Sequence, residues 1–114
     1  MDDKTYVENF VKECSETQLE TTGEKFVSWE TLFTILVYEG LRLLLPELKE
    51  WVRLGAAAVA MKRQELKKQL VAYAKEKELD FPAAEKAAAA IADKINEKTL
   101  GRIVKGLQAE ESSE

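Results

Sequence analysis

The 114-residue chain has no histidine and one cysteine, and those two counts bound its chemistry before any fold is considered. Imidazole is the commonest general base, the commonest transition-metal ligand and the partner of Ser/His and Cys/His nucleophiles, so all three roles are lost together. Di-iron bundles built on Glu-x-x-His go with them. A carboxylate-only magnesium or calcium site stays open on composition, but no loop signature supports one. The chain therefore reads as not an enzyme, with no catalytic residue, cofactor, metal site or small-molecule substrate expected.

The remaining chemistry-bearing groups each have a plainer reading. Cys14 shares helical spacing with Tyr6, Val7, Phe10 and Val11, so it is expected in the core as a small hydrophobe. Gly101 and Gly106 have the spacing of a phosphate loop's outer glycines, but Leu107 and Gln108 stand where that motif needs Lys and Ser/Thr. Glu39 and Arg42 are three residues apart in the most apolar stretch and read as an intrahelical ion pair at the core's edge. The run from Met61 to Gln69 is basic, yet Arg53, Lys62, Arg63, Lys67, Lys68 and Lys75 project all round one helix axis, which suggests a solvated helix and not a nucleic-acid or lipid contact. Trp29 and Trp51 flank the apolar stretch and are expected to pack in the core rather than mark a membrane interface.

The elements that must carry these groups are helical. Two prolines and five glycines are few, while Ala, Leu, Glu and Lys dominate, so the expected class is all-α. A first helix is predicted over about Lys4 to Ser15, with Asp3 as its cap, followed by a loop from Glu16 to Lys25. A second starts after Ser28, with Val27 placed to staple onto Leu32. Its broad face carries Trp29, Leu32, Phe33, Leu36, Val37, Gly40, Leu43 and Leu44, leaving Ile35, Leu41 and Leu45 outside. Pro46 is expected to break the chain and to sit in the first turn of the next helix. That third helix, about 47–78, is read as one long central amphipathic helix of ~45 Å, because Leu48, Val52, Gly55, Val59, Leu66, Leu70 and Tyr73 keep one register. Asp80 and Pro82 open a fourth helix to about Asn96, and a fifth spans Thr99 to Gln108. The whole is a bundle of four to five helices in a single domain, 1–109, with a disordered acidic tail at 110–114.

Charge is unevenly spread. Residues 1–50 hold 11 acids and 5 bases, 51–79 hold 3 and 7, and 80–114 hold 7 and 5, within a net −4. Nucleic acid is accordingly disfavoured as a partner. The leading reading is a non-enzymatic helical interaction or structural protein, self-associating or bound to another protein, through a surface of Leu36, Val37, Leu41, Leu45, Leu48, Val52, Val59, Leu66, Leu70 and Tyr73. A peripheral membrane accessory of the lysis or envelope type is the alternative, and a helix-turn-helix DNA reader around Asp80 to Leu107 the weaker one. The stretch from Trp29 to Leu45 contains Thr34, Glu39 and Arg42 and stops at Pro46, short of the ~20 residues a span needs. No secretory signal is read in Met1-Asp2-Asp3-Lys4, so a cytoplasmic location is expected.

Overall fold

Helix α1 (Asp3–Gln18) begins at a cap one residue earlier than expected: the Asp2 side chain accepts the Thr5 amide at 2.7 Å. That hydrogen bond holds the Asp2 carboxyl below its usual range. A computed structural model describes residues 2–18, 29–79 and 81–112 of the chain. The expected Ser28 cap, Val27 staple, Asp80 cap and residues 19–25 of the expected loop lie outside the described residues, whereas 16–18 belong to α1.

After α2 (Trp29–Ile35) the chain changes its winding. Residues Leu36–Leu41 form a π-helical segment, which inserts an extra residue per turn and rotates everything downstream by about 100° relative to an ideal helix. This corrects the projected face. Leu41 and Leu45 point inward and are buried, while Leu43 is 66% exposed. At Gly40 the reason for the missing side chain is visible, since a Cβ there would lie 3.0 Å from Leu70 Cδ2. The turn at Leu44 then separates this run from α3 (Leu45–Leu54), with Pro46 in the first turn, where its lack of an amide hydrogen removes no helical bond. The proline break is found where the sequence placed it.

The single long helix is not found. The stretch 47–78 is divided among α3, α4 (Ala56–Met61) and α5 (Arg63–Glu76). Gly55 adopts φ 108°, ψ −178°, a conformation essentially reserved for glycine, and Lys62 sits in a turn at φ −93°, ψ 2°. A constant apolar register was a poor guide because each short helix is separately held to the core. Size makes the same point: an unbroken helix of ~45 Å exceeds the molecule's longest extent of 39 Å.

α5 closes with Glu78 at φ 58°, while the Leu79 amide bonds the Ala74 carbonyl and the Glu78 amide the Lys75 carbonyl, the two bonds of a Schellman motif. α6 (Phe81–Lys94) has Pro82 in its first turn, and α7 (Glu97–Ser112) is opened by a reciprocal box. In that box the Asn96 side chain accepts the Thr99 amide, and Thr99 Oγ1 accepts the Asn96 amide. α7 is thus longer than the predicted Thr99–Gln108 and runs past residue 109 into the stretch read as a tail.

Among the described residues there are seven α-helices, the π segment and no strand, so the class is all-α, with more helices than the expected four to five. Arg63 at the start of α5 donates to the Ile95 carbonyl just beyond α6, at 2.8 Å, while Lys75 and Glu85 share a groove at the other end. α5 and α6 therefore run antiparallel. α7 packs on α1, α3 and α4, and buried residues of all seven helices form one cluster.

Candidate interaction surface

The ten residues proposed from sequence as a surface are mostly interior. Leu36, Val37, Leu41, Leu45, Leu48, Val59, Leu66, Leu70 and Tyr73 are buried, and Val52 is partly buried against the same cluster. These side chains are covered by the chain itself, because the breaks at Gly55 and Lys62 fold the 47–78 stretch back on α6 and α7. Trp29 and Trp51 are also buried, Trp29 with its ring centroid 6.2 Å from that of Phe33 and Trp51 with Lys62 Nζ 6.0 Å over it.

Polar groups at the core's edge are arranged differently from expectation. Tyr73 donates its hydroxyl to Glu39 Oε1 at 2.8 Å, so the Glu39 carboxylate is engaged across to α5 and not with Arg42. Arg42 Nε is buried with no hydrogen-bond partner, as is Trp29 Nε1. Burial, helped by the Glu39 hydrogen bond and charge, pushes the Tyr73 hydroxyl up to about 12. Cys14 is fully buried, and desolvation pushes its thiol up to about 12, which leaves almost no thiolate near neutrality. Among the described residues no cluster of three or more His, Cys, Asp or Glu is placed to hold a metal ion. No described helix is long and apolar enough to cross a membrane. The would-be recognition helix, α7, buries Leu100, Ile103, Val104 and Leu107 against its neighbours, and Arg102 lies 4.4 Å over the Tyr6 ring and 3.4 Å from Asp3.

Among the described residues Leu43, Leu54 and Met61 are large, apolar and exposed, and two solvent-open features stand out. The first is an apolar corner where α3 turns into α4: Leu54 is 56% and Met61 81% exposed, with Ala56, Ala57 and Ala60 exposed between them. Comparison with protein-family models, curated proteins and solved structures gave no match. The corner and its chemistry must therefore speak for themselves. The second feature is a groove of about 370 Å³ between α5 and α6, with Lys67, Lys68 and Lys75 on its walls and Glu85 across from them.

The corner was missed in the sequence because 47–78 was taken as one helix, which puts Leu54 and the alanines beside an inner stripe. Taken as separate helices, α4 buries Val59 alone. Positions 64, 67, 68, 71, 72 and 75 share one side of α5 at helical spacing in either case, and were passed over because Arg53, Lys62 and Arg63 were counted with them. The Gly55 φ is the deciding datum, and a glycine flanked by good helix formers was the available signal.

Proposed function

We propose that this chain is a non-enzymatic helical interaction protein that associates with a second copy of itself through the α3–α4 corner. The observation that carries this reading is the pairing of Leu54 and Met61, both large, both mostly exposed, in a segment whose other exposed side chains are alanines. Scattered single apolar residues on a surface need no explanation, but two large ones bracketing exposed alanines within eight residues of sequence have the composition of a helix-packing surface. The lack of histidine and the buried, neutral thiol support a role in binding and not in catalysis.

Light scattering after size exclusion, from micromolar to millimolar protein, tests it. A mass that rises with concentration in the natural chain and stays monomeric in the Leu54→Glu, Met61→Glu variant is expected. A monomer throughout overturns the reading. Cosedimentation of the natural chain with anionic vesicles, lost in the same variant, would instead favour the membrane-surface alternative, since Lys62 and Arg53 adjoin the corner in sequence.

A further inference from the structure

A smaller pocket, of about 190 Å³, opens where the π segment passes α5, and it shares no residue with the α3–α4 corner. The winding of the π segment shapes it. The extra residue per turn carries Leu43 out of the core onto the rim, beside Leu44, and Gly40 brings bare backbone close to the Tyr73 ring. Segments wound in this way recur at functional sites. From α5 the opposite wall receives Ala72 and Tyr73, with Gln69 at one end and Glu76 at the other.

Hydrogen-bond accounting and charge both select a cation. Tyr73 spends its one hydroxyl hydrogen on Glu39 Oε1, and the Gln69 amide nitrogen donates to Glu65 Oε2 at 2.9 Å. Acceptor oxygens therefore dominate what is left for a ligand, above all the Glu76 carboxylate. Glu39 and Glu76 both act on the Tyr73 hydroxyl, and α5 ends at Glu76, which adds the negative end of the helix dipole. Lys77 stands beside the ring, with Nζ 5.8 Å from its centroid, and offsets one of the two carboxylates but not both. The rest of the lining is apolar.

Size narrows the choice. A cavity of ~150 Å³ holds a benzene ring, and drug-sized ligands need ~300 Å³ or more, so this pocket takes about five to seven heavy atoms. A protein-borne side chain would bring its backbone against the rim. Leu43 is the one large exposed apolar side chain of the lining, which is too little for a protein contact.

We propose that this pocket binds a small free aliphatic amine in its ammonium form. The ammonium pairs with Glu76, within the field of Glu39, and the alkyl chain runs back along α5 over Ala72, against Leu43 and Leu44. Charge fixes the end at which the nitrogen sits, and the apolar walls take the chain.

Proton–nitrogen NMR titration of the full chain with n-butylammonium chloride tests the proposal. Saturable shifts centred on the amides of Gly40, Leu44, Ala72 and Glu76 are expected at millimolar ligand, with none from 1-butanol. Glu76→Gln should weaken binding about two- to fivefold, whereas Glu97→Gln, the same loss of charge at an exposed position in the first turn of α7, should leave it unchanged. Ala72→Leu puts a larger side chain into the pocket from an exposed helical position and should abolish binding while the circular dichroism stays that of the natural chain. Lys77→Gln removes the resident cation and should bind at least as tightly. The Leu54→Glu, Met61→Glu variant should bind as the natural chain does, so this reading and the corner reading fail separately. No saturable shift with butylammonium, equal binding of 1-butanol, or equal loss in Glu76→Gln and Glu97→Gln would each overturn the proposal. So would tighter binding of Nα-acetyl-lysine amide, which assigns the pocket to a partner's side chain.

Discussion

Gly106 lies where α7 meets α1, and its missing side chain has a direct geometric cause. A Cβ there would lie 2.5 Å from the Asp3 carbonyl oxygen and would overlap Val7 Cγ2. Backbone cannot yield as a flexible side chain does, so Gly106→Ala should cost about 1–3 kcal/mol. That sign opposes the usual gain from replacing a helical glycine. Gly101 in the same helix is the control: its Cβ would make an ordinary 3.9 Å contact with Val52, and Gly101→Ala should stabilise by about 0.5–1 kcal/mol. Urea denaturation of the two variants decides it, and equal effects would refute the packing argument. Cys14 and Tyr73 contribute to an alkaline loss of stability. Both are acids that the fold keeps neutral, with pKa values raised to about 12 from ordinary values of 9.0 and 10.0. Their contribution is complete below pH 9 and is lost as pH rises from there towards 12. Tyr73→Phe should therefore flatten part of that alkaline fall, and the Cys14 thiol should resist alkylation at pH 8 until the chain is unfolded.

At the level of elements, the turns carry strain that single substitutions can expose. Gly55→Ala meets no atom within 4 Å, yet φ 108° is disfavoured for any side-chain-bearing residue, so a loss of about 1–3 kcal/mol is expected from backbone strain alone. Glu78 presents the converse case. It occupies the left-handed position of a Schellman motif where glycine is usual, and Glu78→Gly should stabilise by about 1 kcal/mol despite the loosened unfolded chain. A thermal melt in which Glu78→Gly lowers the midpoint would contradict that account. The two sites also explain uneven legibility. Pro46 and Pro82 could be placed from sequence because the ring dictates its own backbone, and Cys14 because its neighbours share a helical period. Asn96 and Thr99 were equally local, and attention to that capping pair would have started α7 in the right place.

For the whole molecule, the radius of gyration of 13.4 Å agrees with the about 13 Å typical of a compact chain this long, and the core is one cluster. Urea unfolding should accordingly give coincident transitions by tryptophan fluorescence, which reports Trp29 and Trp51, and by circular dichroism, which reports all the helices. Separate midpoints would divide the chain into two cooperative units. The sequence by itself determined the all-α class, the proline-marked helix starts and the interior place of Cys14, because those follow from backbone chemistry and short-range periodicity. The tertiary structure decided which of Leu41 and Leu43 faces inward and whether Gly55 breaks the chain. Each of those choices depends on what packs opposite. Leu70 and Tyr73 crowd Gly40 at the π segment, and α7 covers α3 and α4. The residues of 47–78 share one helical register whether the chain is straight or folded back, and only the long-range contacts choose between the two.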